Sequence, residues 1–196
     1  LSIIDLPGTY SLTAYSAEEL VARDVLIHDK PDVVIDVLDA GNIERNLYLA
    51  VQIMELGSPL VLALNMSDVA ERRGIRFDLD MLSKLLGAPI VPTIGNKGQG
   101  KTELLDAAVK MAKRSYSPEL RRIDYGPEIE SQIAMLQERI DGASVDISGA
   151  PSRWVAVKLL EGDSNVSRQI GDTDLIEAVD KSIEHLKSIF GDSPEA

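Results

Sequence analysis

Residues 5–8 read DLPG, residues 65–68 read NMSD and residues 95–102 read GNKGQGKT. In the first, Asp5 supplies a carboxylate that can hold a magnesium ion through water. Leu6 and Pro7 follow, and Gly8 lacks a Cβ, so its N–H can approach a terminal phosphate. The second, Asn65-Met66-Ser67-Asp68, fits N-x-x-D, a pattern that reads a guanine edge. The aspartate accepts two N–H bonds from the base while the asparagine braces neighbouring loops. Charge-assisted bonds of this kind contribute about 1.5–3 kcal/mol each. Adenine lacks the matching donors and would leave the carboxylate unpaired. The third fits G-x-x-x-x-G-K-[ST], a loop whose N–H groups cradle phosphates and whose Lys101 and Thr102 would reach phosphate and magnesium. Each has a plainer reading: a strand followed by a Pro-Gly turn, a polar helix cap, and a glycine turn into a helix.

Positioning such groups takes strands that end where the motifs begin. Residues 2–5 read as the end of a strand. Ser16 and Glu19 form a capping-box pattern that opens a helix to about His28. DVVIDVLD (32–39) is a buried strand by its β-branched content. Ile43, Leu47, Ala50 and Met54 recur at helical spacing until Gly57-Ser58-Pro59 stops them. LVLAL (60–64) is a second apolar strand, ending in Asn65. A helix over about 78–86 with Asp78 as N-cap follows, then a strand over about 89–94, the GNKGQGKT loop and a helix to about Arg114. Strands alternating with helices predict an α/β fold with a mostly parallel sheet covered on both faces. The DLPG, NMSD and glycine-loop motifs then all fall at strand ends, where such folds place ligands.

SYSPELRRIDYGP (115–127) breaks this rhythm, which places a boundary between a first domain, 1–115, and a second, 116–196. The second is small and helical. Ile129, Ile133, Leu136 and Ile140 form one apolar stripe, and Leu175, Val179, Ile183, Leu186 and Phe190 another. Between them lie the turn GASVDISGAP and a helical RWVAVKLLEGD. Trp154 is read as core, residues 161–163 as a helix end, and His28 and His185 as surface residues. Asn42, Glu44, Arg45 and Asn46 are read as a helix start with solvated charges.

The net charge is −12 and 44% of residues are hydrophobic. This composition fills a core but offers no basic patch, so a nucleic-acid partner is not expected. There are no cysteines, hence no disulfide and no thiolate metal site. No run reaches the roughly 18 apolar residues of a membrane span, and no secretory signal is present. The chain opens on Leu1 already in a strand-like run, so it is expected to be a fragment.

DLPGTYSL, DAGNIERNLYLAVQIMELG, LNMSD and RWVAVKLLEGD together resemble the cytosolic part of the FeoB-type ferrous iron transport proteins, across nearly the whole chain. The resemblance implies a Ras-like P-loop GTPase fold, truncated at its N-terminus, followed by a helical spacer. It implies GTP or GDP and magnesium as ligands. It also implies a transmembrane iron-transport domain of the same parent protein as partner and a place on the cytoplasmic face of the membrane. Family members carry a phosphate loop and a first switch upstream of DLPG. This chain has neither, and Thr9 stands where Ras has its water-positioning glutamine, so weak or no GTPase activity is expected of the fragment. An incomplete sheet would expose an edge that favours self-association.

GNKGQGKT then has two readings. Gly95, Asn96 and Lys97 form the loop beside the guanine base, with Gly98 and Gly100 turning the chain into the next helix, or residues 95–102 are a true phosphate loop. After NMSD there is one helix and one strand before this loop, and that strand is needed for the base-side loop, which favours the first reading. The alternatives are a P-loop kinase or ATPase using Lys101 and Thr102, and an interaction module indifferent to nucleotide.

Overall fold

The computed structural model describes residues 2–13, 16–113, 123–143, 147 and 149–191. Three strands, β1 (Val34–Asp39), β2 (Leu60–Asn65) and β3 (Ile90–Pro92), form a parallel sheet in the order β1-β2-β3. Val34 to Asp39 lie opposite Leu60 to Asn65, and Leu62 to Leu64 lie opposite Ile90 to Pro92. The central strand is buried from Leu60 to Leu64. That is why LVLAL is a continuous apolar run rather than an alternating one. At the edge, β1 alternates instead: Asp36 and Leu38 are buried while Val37 is exposed.

Helix α1 (Ala17–Asp24) opens with the expected capping box: the Glu19 N–H donates to Ser16 and the Ser16 N–H donates back to the Glu19 carboxylate. It runs on into a π-helical turn, Val25–Asp29. Helix α2 (Ile43–Glu55) links β1 to β2. Helices α3 (Ser67–Arg72) and α4 (Leu79–Leu86) link β2 to β3, and α5 (Lys101–Ala112) follows β3. Asp78 caps α4, accepting the Met81 N–H. Beyond the sheet lie α6 (Pro127–Gly142), α7 (Ser152–Leu160), α8 (Ser164–Gln169) and α9 (Thr173–Phe190). Helix α7 is buried from Trp154 to Leu160 and forms the centre of this group, with α6 and α9 packed on it. The buried side chains of the sheet and of the helical group belong to one continuous cluster. No helix among the described residues is long and apolar enough to cross a membrane.

The expected strand over residues 2–5 is absent: Ile3 and Ile4 lie in non-strand backbone, 72% and 66% exposed. No strand among the described residues pairs with the outer edge of β1. A four-residue segment with two apolar residues gains neither ladder hydrogen bonds nor a covered face without such a partner. Helices α3 and α8, each six residues long, were not anticipated from the sequence. The boundary segment falls largely on residues 114–122, and the turn before α7 on 144–146 and 148, outside the described residues.

Candidate functional site

Because the sheet is parallel, Asp39, Asn65 and Pro92 end their strands on the same side. Around the last two the structure gathers six of the predicted residues. The Asn65 Oδ1 accepts the Gly95 N–H at 2.9 Å, tying the end of β2 to the loop after β3. Met66 takes a left-handed conformation (φ 57°), which turns the chain sharply into α3. The Ser67 hydroxyl then donates to the Thr93 carbonyl at 3.0 Å. Asp68, in the first turn of α3, receives the Lys97 Nζ at 2.9 Å and the Arg72 Nη1 at 3.1 Å, both on Oδ2. The bond from Lys97, assisted by Arg72, holds the Asp68 carboxyl below the usual carboxylate range, so it stays ionised. Among the described residues its Oδ1 accepts nothing, which leaves that oxygen open to a ligand N–H.

Residues 95–102 form a closed turn. Gly95–Lys97 is a 3-10 turn, and the N–H groups of Ile94, Lys97 and Gly98 donate to the carbonyls of Gln99, Ile94 and Gly95. With the Gly95 N–H on Asn65, four N–H groups of this turn are spent inside the protein. Lys101 and Thr102 are exposed in the first turn of α5, and Asn96 is exposed on the turn.

A second part of the site lies beside β1. A cavity of about 340 Å³ is bounded by Gly8, Thr9 and Tyr10 on one side, by Val37 to Asp39 and Asn46, and by Asn65 and Met66 on the other. Asp39 was not singled out from the sequence, and Asn46 was read there only as part of a helix start. Asn46 accepts the Asp39 N–H at 3.0 Å, and the Asp39 carboxylate accepts the Gly41 N–H at 2.7 Å. A polar residue ending an apolar strand was the available signal. Arg45 is exposed at the helix start, as expected, and its guanidinium also lies 4.0 Å from the Tyr10 ring centroid, while Asn46 is half-buried. Further on, the Leu12 N–H donates to Gln52 of α2 and the Ser11 hydroxyl donates to Glu19 of α1. Segment 8–13 is thus held by α1 and α2 rather than by the sheet.

Asp5, Pro7 and Gly8 are exposed on the segment that lacks a strand, Leu6 packs on the core, and Gly8 alone of the four faces the cavity. No group of three His, Cys, Asp or Glu side chains able to hold a metal forms among the described residues. Among the described residues, Asp5 therefore does not build a magnesium site from protein carboxylates alone.

A parallel sheet whose central strand ends in Asn65-x-x-Asp68, with the next loop bonded to both residues, defines a Ras-like G domain, here followed by a helical group. The comparisons agree. Residues 1–108 match ferrous iron transport protein B, and residues 125–196 match the FeoB cytosolic helical domain. The chain is 46% identical over 88% of its length to an Fe(2+) transport protein A/Fe(2+) transporter FeoB fusion protein of Porphyromonas gingivalis, covering 21% of that protein. It is 38% identical over 83% of its length to the Fe(2+) transporter FeoB of Escherichia coli, again covering 21%. Among solved structures, mGMPPNP-bound NFeoB of S. thermophilus matches 97% of this chain at TM-score 0.81 and 35% identity, with 71% of that protein covered. The same protein bound to GDP.AlF4- and K+ matches 97% at TM-score 0.83 and 34% identity, with 73% covered. The chain belongs to the FeoB family of ferrous iron transport proteins, and it spans about a fifth of the length of the curated relatives it matches.

Proposed function

We propose that this chain is the guanine-nucleotide-binding and helical part of a ferrous iron transporter. Its parent protein binds and hydrolyses GTP on the cytoplasmic face of a membrane and couples nucleotide state to iron uptake by a transmembrane domain of the same protein. The first domain is assigned to residues 1–115 and the helical spacer to 116–196. In this reading Asp68 accepts the guanine edge, and Asn65 fixes the base-side loop through Gly95. Met66, Ser67, Asn96 and Lys97 shape the base pocket. Gly8 lies where a terminal phosphate would be sensed, and Asp5 would meet a nucleotide-bound magnesium through water. The observation that carries the reading is the joint engagement of Gly95 by Asn65 and of Lys97 by Asp68 at adjacent strand ends. It is supported by the geometry of the turn, in which the N–H groups of Ile94, Gly95, Lys97 and Gly98 are already bonded within the protein.

Titration calorimetry with GDP, GTP and ATP tests it. Guanine nucleotides should bind in preference to ATP. Asp68→Asn should weaken GDP by at least about tenfold, as expected for loss of a charge-assisted bond, and Lys101→Ala should change nothing. Equal affinity for ATP, or binding lost with Lys101→Ala, would make residues 95–102 the phosphate loop and overturn the assignment.

A further inference from the structure

We infer that Arg72 is a built-in competitor for the guanine edge at Asp68, setting the affinity for guanine nucleotide below what the carboxylate alone would give. This rests on the guanine-site reading above. A carboxylate offers about two acceptor positions on each oxygen. Lys97 and Arg72 both fall on Oδ2, at 2.9 and 3.1 Å, and so fill that oxygen. A guanine edge brings two parallel N–H donors and needs one position on each oxygen, so one of the two cations must yield.

The geometry identifies which. Lys97 belongs to the turn that Asn65 holds through Gly95, and its ammonium has three donors that can rotate around an arriving base. Arg72 lies one turn along α3 from Asp68, with 66% of its side chain exposed, and Asp68 is its ion-pair partner. Its guanidinium presents the same fork of parallel N–H groups as the guanine edge. In this structure it uses one prong of that fork, on Oδ2, and leaves Oδ1 open. A base can therefore engage Oδ1 first and then displace Arg72 from Oδ2. As the base leaves, Arg72 refills the carboxylate and favours the empty site.

An exposed pair four residues apart on a helix is weak, so the competition is worth about two- to threefold in affinity. The opposite role, in which Arg72 orients Asp68 and assists binding, predicts the opposite sign. Stopped-flow fluorescence with GDP and ADP on the wild-type chain, Arg72→Ala, Arg72→Gln and Arg72→Lys separates the two. Arg72→Ala and Arg72→Gln should bind GDP two- to threefold more tightly, mostly through faster association, with ADP unchanged. Arg72→Lys, which can still pair with Asp68, should stay near wild type. In an Asp68→Asn background Arg72→Ala should have no effect. Unchanged or weaker GDP binding in both Arg72→Ala and Arg72→Gln would overturn the competitor role while leaving the guanine site intact. So would a gain that persists in the Asp68→Asn background. A wild-type chain that does not prefer GDP to ADP would remove the guanine site and this role together.

Discussion

Asp36 is a carboxylate on the edge strand with no ion-pair partner among the described residues to justify its burial. It is 8% exposed and, among those residues, its Oδ2 meets no hydrogen-bond partner. Desolvation outweighs a bond from the Val37 backbone and pushes its pKa from 3.8 to about 7. The native state therefore keeps this proton up to near neutrality, whereas the unfolded chain releases it near pH 3.8. Between those values the native state binds more protons than the unfolded one, so this group's contribution to stability falls as pH rises from about 4 to about 7 and stays low above that. The span is at most about 4 kcal/mol at 1.36 kcal/mol per pKa unit. Asp36→Asn should flatten this limb. Urea unfolding at pH 5 and pH 8 should show the variant gaining on wild type at the higher pH. A difference that does not change with pH would mean that Asp36 is ionised throughout.

At the scale of elements, the link from β3 to α5 supplies a structural reason for the second glycine of the phosphate-loop pattern. Gly100 sits at φ +80°, and a Cβ there would lie 2.3 Å from the Pro92 carbonyl oxygen and 3.0 Å from the Thr93 side chain. Gly98 sits at φ +66° with open space around it. The second glycine of the pattern is thus a packing requirement of the strand-to-helix turn. Gly100→Ala combines left-handed strain with a backbone clash and should cost about 2–4 kcal/mol. Gly98→Ala carries the strain alone and should cost about 1 kcal/mol. Chemical denaturation of the two variants checks this, and equal losses would show that the turn relaxes around a Cβ.

Elements set by local patterns were legible in the sequence. The apolar runs of β1 and β2, the Ser16–Glu19 box and the Asp78 cap are local patterns, and the elements form there. The Asn65 and Asp68 cluster was legible because its residues sit at strand ends. Residues 2–5 misled because strand pairing depends on a neighbour that a local pattern does not reveal. The Arg45 contact with the Tyr10 ring and the bond from the Leu12 N–H to Gln52 join residues about 35 to 40 positions apart, and no local period encodes such pairs.

Across the whole molecule, two arginines join the sheet side to the helical group, and both do so through the helices that hold segment 8–13. Arg23 of α1 pairs with Asp163 at 3.2 Å, with 5% and 1% of the side chains exposed, and lies over Trp154. Arg153 of α7 pairs with Glu55 at the end of α2 at 3.0 Å, with Glu130 of α6 at 2.8 Å, and donates to the Ile123 carbonyl at 2.7 Å. Buried pairs add little over an apolar replacement, but removing one partner strands the other charge. Arg153→Met leaves Glu55 and Glu130 facing each other without their cation, which should cost about 3–5 kcal/mol. Burial already pushes the Glu55 carboxyl up, and Arg153 is the main group opposing it. Without Arg153 that opposition is gone and Glu55 takes a proton at higher pH in the native state. The defect should therefore be largest near pH 8 and shrink on acidification. Since one core cluster spans both parts, wild type should unfold in a single calorimetric transition. Arg23→Met with Arg153→Met removes both ionic joints and should split that transition into two. A single transition in the double variant would show that the shared apolar core, rather than the buried arginines, makes the sheet and the helical group unfold together.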